Sequence, residues 1–107
     1  MKILSAFLML LLPALVFGAE QTLVLDVSGH CGSCKKRIEK TVKAVDGTSS
    51  ADWNKRTKKL TVSFDDEKTN KDAIVNAVLK VGHDADGKTA DNEAYSNLPD
   101  CCQYRDE

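Results

Sequence analysis

Two cysteines of this 107-residue sequence, Cys31 and Cys34, lie in the segment Ser28-Gly29-His30-Cys31-Gly32-Ser33-Cys34-Lys35. The segment joins a strand-like run, 22–27, to a helix-like one, 35–45. Thiols placed there meet the unpaired N–H groups and the positive end of a helix dipole, which favour thiolate over thiol. Thiolates are soft ligands, and two of them three residues apart on a loop can take opposite sides of an ion that prefers few ligands, such as Cu(I) or Hg(II). A structural zinc site needs four ligands in a tetrahedron, and only two are local. A second pair, Cys101 and Cys102, closes the chain's complement of four. Adjacent thiols are costly to expose in an oxidising space unless they bind metal or pair with other sulfurs. The dozen or so residues after Ala90 reach across a small domain at up to about 3.3 Å each. The tail can therefore supply a third or fourth sulfur, or a disulfide partner for Cys31 or Cys34. Two histidines complete the candidates: His30 stands directly beside Cys31, and His83 is either a third metal contact or a loop residue with an ordinary hydrogen bond.

The N-terminus indicates where this chemistry operates. Met1-Lys2 precedes an apolar run over 3–16 broken by Pro13, and small residues follow at Gly18 and Ala19. This is the layout of a secretory signal peptide, and it is shorter than the roughly 20 apolar residues of a comfortable membrane span. Cleavage after Gly18 is favoured, because cleavage after Ala19 would put the bulky Phe17 at the minus-three position. The chain accordingly divides into a signal peptide, 1–18, one small domain, 19–90, and a cysteine-containing tail, 91–107. The expected mature protein is exported, periplasmic and not membrane-spanning. With Lys2 removed, fourteen Lys and Arg face sixteen Asp and Glu, a balance without the basic face of a nucleic-acid binder. Export and an even cysteine count suggest disulfides, yet Cys31 with Cys34 and Cys101 with Cys102 would close almost no loop and so contribute little stability.

The elements that must hold these residues follow from periodicity. Leu23, Leu25 and Val27 alternate with Thr22, Val24 and Asp26 as in a strand with one well-buried face. Cys34, Ile38, Val42 and Val45 recur at helical spacing, and Asp46-Gly47 ends the helix. Ser49, Ala51 and Trp53, then Leu60, Val62 and Phe64, alternate around the polar turn 54–57 and predict a β-hairpin, with Trp53 packing on the sheet. Thr69 or Asn70 caps a second helix whose stripe is Ile74, Ala77, Val78 and Val81, stopped by Gly82. Residues 83–90 hold at best a short fourth strand, since Asp84, Asp86 and Gly87 are poor strand formers. A short helix over 91–98 and a polar tail follow. The order is that of an α+β, ferredoxin-like βαββαβ sandwich, an antiparallel sheet with two helices on one face. That topology brings the end of the second helix, and His83, to the edge that carries Cys31 and Cys34. Lys35, Lys36 and Arg37 beside the site read as a solvated helix face or as a docking surface for an acidic partner.

On the CxxC between first strand and first helix, within this element order, the chain resembles the heavy-metal-associated domain family: small copper chaperones, soluble domains of metal-pumping ATPases and the periplasmic mercury-binding protein. The resemblance covers roughly 22–85. It implies that Cys31 and Cys34 are the metal-binding pair. Where the family usually has Gly-Met-Thr before the first cysteine, this chain has Ser28, Gly29 and His30, so the Met that packs beneath the loop is missing. His83 follows Gly82 where many bacterial members carry Tyr, and a histidine there can approach the metal. The competing account is a thioredoxin-like thiol-disulfide oxidoreductase, which also starts a helix with CxxC. A hairpin after the helix and a mature chain whose only proline is Pro99 speak against it. The expected function is thus non-enzymatic: an exported metallochaperone or scavenger for Cu(I) first, with Hg(II), Zn(II) or Cd(II) as alternatives. Its expected partner is a metal-transporting membrane protein or another metal-binding domain.

Overall fold

The computed structural model describes residues 20–106; the expected signal peptide lies outside them. Strand β1, Glu20–Asp26, runs into the cysteine loop and then into helix α1, Gly32–Lys43. Strands β2, Thr48–Trp53, and β3, Lys59–Asp65, form the predicted hairpin, and helix α2, Lys71–Lys80, follows. The sheet order is β1-β3-β2, with both pairings antiparallel. Register places Leu25 and Trp53 on either side of Leu60, and Leu23 and Ala51 on either side of Val62. The alternation read from sequence thereby becomes one apolar face. Leu25, Val27, Ala51, Trp53, Leu60, Val62 and Phe64 are buried on it.

Helix α1 covers that face with Cys34, Ile38 and Val42, each fully buried. Their i, i+4, i+8 spacing keeps them on one side of the helix. The α2 stripe is Ile74, Val75 and Val78, turned slightly from the predicted one, so that Ala77 and Val81 sit at its half-buried border. Asn70 is the α2 cap, its side chain accepting from the Ala73 N–H at 2.9 Å. Gly82 ends the helix with φ +101°, and a Cβ there would stand 2.7 Å from the Ala94 carbonyl oxygen. Both the left-handed backbone and the close approach require glycine.

The fourth strand is reduced to a bridge. Ala85 pairs with Val27 on the free edge of β1, Ser28 N–H donates to Asp84 O at 2.9 Å and Asp86 N–H donates to Asp26 O at 2.8 Å. A tight turn at Asp86 and Gly87, both at positive φ, then leads the chain off the sheet. The ferredoxin-like layout survives as an open three-stranded sheet with the fourth strand reduced to one bridge beside β1.

Beyond it the chain departs from the expected polar tail. Helix α3, Asn92–Ser96, and two 3-10 turns, Asp100–Cys102 and Tyr104–Asp106, return the chain to the cysteine loop. Leu98, Cys102 and Tyr104 enter the same core as the sheet and helices. Tyr104 Oη donates to Gly82 O at 2.7 Å and accepts from Asp84 N–H at 2.8 Å; burial pushes its hydroxyl up to about 12, so it remains a donor. The Arg105 guanidinium donates to Asp84 Oδ1 and Ala90 O, each at 2.8 Å, and lies over the Tyr95 ring. Among the described residues, no helix is long and apolar enough to cross a membrane.

This anchorage carries an expected acid response. Burial works upward on the Asp84 carboxyl, but Arg105, the Ala90 N–H and the Tyr104 hydroxyl outweigh it, and the group is held below its ordinary value. Burial, the largest influence, lowers His83. Each group binds its proton more readily in the unfolded chain, so each stabilises the fold above its unfolded value and loses that contribution as pH falls. Thermal unfolding followed by circular dichroism should show a midpoint that declines below about pH 6.5 as His83 is drawn to protonate, and declines more steeply below about pH 4. A midpoint unchanged down to pH 3 would contradict this.

Candidate metal centre

Cys31 is the N-cap of α1, in extended conformation at φ −141° and ψ −177°, and its carbonyl accepts the first helical bond from Lys35 N–H at 3.1 Å. Three carbonyls of the preceding loop are each held by a side chain from another part of the fold. Trp53 Nε1 donates to Val27 O at 3.0 Å, His83 Nδ1 lies 2.7 Å from Ser28 O, and Lys58 Nζ donates to Gly29 O at 2.9 Å. Because a carbonyl only accepts, His83 carries its proton on Nδ1. The ring is fully buried and stacked against Tyr104, with Nε2 buried and unpartnered. His83 is therefore at the predicted edge of the domain, but the geometry gives it a supporting position under the loop, outside the sulfur cluster.

Trp53 does more than pack on the sheet. Its indole lies directly under Gly29, where an added Cβ would come within 2.8 Å of Cζ2. Position 29 carries no side chain, and the indole fills the space beneath the loop. Gly29→Ala should force the loop or the indole to shift, destabilising the fold by about 1–3 kcal/mol, as overpacking does. Denaturant unfolding with an unchanged midpoint would contradict that fit.

The Cys31 and Cys34 sulfurs are 3.8 Å apart. Cys34 is fully buried and accepts from the His30 N–H at 3.3 Å; Cys31 is partly exposed. Against burial, which works upward, the Cys34 N–H, the Cys101 thiol, the Ser33 N–H and the Cys34 thiol bring Cys31 down to about 7. In the protonated state Cys31 can instead donate to Cys101 O at 3.2 Å, so ionisation exchanges that bond for the amide donors at the helix start. His30 is exposed beside the pair. Lys35 is committed within the fold to Glu39, Asp52 and Trp53 O at 2.6, 3.0 and 2.9 Å, which leaves Lys36 as the exposed cation of that turn.

The structure also brings the tail sulfurs to this place. Cys102 Sγ is 4.0 Å from Cys31 Sγ, and the sulfurs of Cys31, Cys101 and Cys102 all lie within 4.8 Å of one another. Cys101 is exposed and Cys102 fully buried. Burial, then the neighbouring Cys34 and Cys31, push the Cys102 thiol well above its ordinary value. All four cysteines are free thiols. Soft, crowded and partly open, the donor set suits a thiophilic cation. Sequence reasoning missed Tyr104, Arg105 and Lys58 as its supports, none of which stands in a periodic or motif position, and it did not read Gly29, although inside the motif segment, as the place where the indole packs.

The heavy-metal-associated domain family matches residues 24–84. A copper-exporting P-type ATPase of Staphylococcus aureus (strain Newman) is 32% identical over 88 residues, which is 81% of this chain and 11% of the ATPase. One from Staphylococcus saprophyticus is 38% identical over 69 residues, 64% of this chain and 9% of the ATPase. The chain thus spans about a tenth of the length of these relatives. Among solved structures, a CopZ metallochaperone matches with TM-score 0.59 and 32% identity over 61% of this chain and 98% of that one. Oxidized MerP from Ralstonia metallidurans CH34 matches with TM-score 0.60 and 32% identity over 63% and 94%. The segment from Asp91 onward, with its two cysteines, lies beyond the family match.

Proposed function

This chain belongs to the heavy-metal-associated domain family, and from that premise we propose that it is a non-enzymatic carrier or scavenger of soft metal ions, Cu(I) before Hg(II), Zn(II) or Cd(II). The observation that supports this most is the pair of sulfurs 3.8 Å apart, one buried and one partly open, at the start of α1. Cys34 fixes one ligand in the core, and Cys31 presents the other to solvent over a loop held at three successive carbonyls. An incoming thiolate can join the ion on the open side before an original sulfur leaves. Such exchange needs no large rearrangement.

Copper is favoured because copper-exporting ATPases and a metallochaperone are among the similar proteins. A soft thiolate set also suits it. The corresponding partner is a metal-transporting membrane protein or another domain of this family. Export to the periplasm is supported by the signal-like pattern of residues 1–18. An oxidoreductase role gains nothing from the fold, whose sheet is an antiparallel hairpin arrangement rather than an alternating parallel one.

Transfer is the test. Copper-loaded, reduced protein mixed anaerobically with a metal-free heavy-metal-associated domain from a copper-exporting ATPase should share its ion with that domain, read by separating the two and assaying copper. Retention of all copper on this chain for hours would exclude the carrier role and leave the scavenger, and insulin reduction at a rate dependent on Cys34 would overturn the reading. Uptake should also weaken below pH 7, as protons compete for Cys31 and its neighbours; an affinity constant between pH 8 and pH 5 would contradict thiolate ligation.

A further inference from the structure

Cys102 is buried within a tail that the family match does not include, yet its sulfur lies 4.0 Å from that of Cys31. We propose that Cys102 is a third metal ligand, closing Cys31 and Cys34 into an all-sulfur, three-coordinate seat for one soft ion. The inference rests on the metal-binding reading above and deepens it: the tail adds a third sulfur, so the ion is held more tightly between exchanges.

Spacing supports three ligands over two. With metal–thiolate bonds of about 2.3 Å, two sulfurs on opposite sides of an ion stand about 4.6 Å apart, whereas sulfurs at the corners of a trigonal plane stand about 4.0 Å apart. The separations from Cys31 are 3.8 Å to Cys34 and 4.0 Å to Cys102, and the Cys101 sulfur lies within 4.8 Å of those of Cys31 and Cys102, so Cys101 is the rival third ligand. A soft ion that accepts three thiolates would enter with little movement, releasing the thiol protons to water and oxidising nothing.

The tail is built to hold that sulfur in place. Cys102 N–H donates to Pro99 O at 2.8 Å. Leu98 and Tyr104 are anchored in the core on either side of it, and Tyr104 is bonded to Gly82 and Asp84. Cys101, on the same turn, is exposed at the rim. Packing alone would be served by any small apolar residue at position 102. The competing account is therefore that Cys102 merely fills space, and replacement by alanine separates the two.

Reduced protein loaded anaerobically with one equivalent of Cu(I) should show three sulfurs around copper by X-ray absorption. Cys102→Ala should show two, and should surrender copper to a competing dithiol at a concentration at least about tenfold lower, the smaller effect of losing even an indirect metal partner. Cys101→Ser should keep three. Two sulfurs in the unmodified protein would overturn the proposal without any variant having to fold, and would leave the two-cysteine reading standing. Three sulfurs persisting in Cys102→Ala, or lost only in Cys101→Ser, would also overturn it. Failure of the unmodified protein to take up copper would overturn both this inference and the function beneath it.

Discussion

Cys31→Ser should lower Cu(I) affinity at least about 100-fold, the upper end of what losing an outer-shell metal partner costs, while leaving the fold intact. Cys31 is partly exposed and its side chain makes no cap hydrogen bond, and a hydroxyl there can donate to Cys101 O as the thiol does. Cys34→Ser should match that loss of affinity and add a loss of stability. The Cys34 sulfur is fully buried beside Ile38 and Trp53 in the core cluster, and an incompletely bonded hydroxyl in such a place costs about 1–3 kcal/mol. The contrast separates a ligand role from a packing role. Competition titration should give equal affinity losses for the two variants, and denaturant unfolding of the metal-free proteins should give unequal stabilities. Near-normal copper affinity in Cys31→Ser would contradict the assignment.

Trp53→Ala should destabilise the domain by about 3–5 kcal/mol, the range for deleting a large buried aromatic side chain. In a domain of this size that is a large fraction of the total stability. The indole is fully buried, its Nε1–H holds Val27 O, and its edge supports Gly29. The effect should therefore extend beyond stability. Where the variant is folded, metal affinity should fall although both cysteines remain, because the loop that aims them has lost its floor. Trp53→Phe, which keeps much of the ring and loses the hydrogen bond, should recover most of the stability and only part of the affinity. A folded Trp53→Ala with unaltered copper binding would mean that the loop holds its shape unaided.

The sheet and helices were legible because each is periodic. Leu23, Leu25 and Val27 alternate, as do Leu60, Val62 and Phe64, and Cys34, Ile38 and Val42 repeat at four. The α2 stripe was read one position off at its margin, since Val75 and Ala77 are both apolar and only packing decides which turns inward. The fourth strand was expected to be weak for the reason that removes it: Asp86 and Gly87 sit at positive φ and turn the chain after one bridge.

The tail was the illegible part. Its anchors, Leu98, Cys102 and Tyr104, follow neither a helical nor a strand period, and Arg105 turns inward to Asp84 and Ala90. The cysteine pair itself announced the site, while the residues that aim it did not. Gly29 and Trp53 fit one another across 24 positions, and His83 reaches Ser28 from the far end of α2. Such matches exist only after folding. The histidine at the right edge of the domain was thus correctly located, although its buried, loop-bonded geometry was not visible in the sequence.

Native mass spectrometry of the fully reduced protein mixed anaerobically with equimolar Cu(I) should show a single added copper per chain, its mass offset by displaced thiol protons, and Cys31 should be protected from alkylation in the loaded form. A chain that stays metal-free under those conditions, and again with Hg(II) and Zn(II), while Cys31 alkylates as fast as before, would contradict metal binding at the cysteine pair.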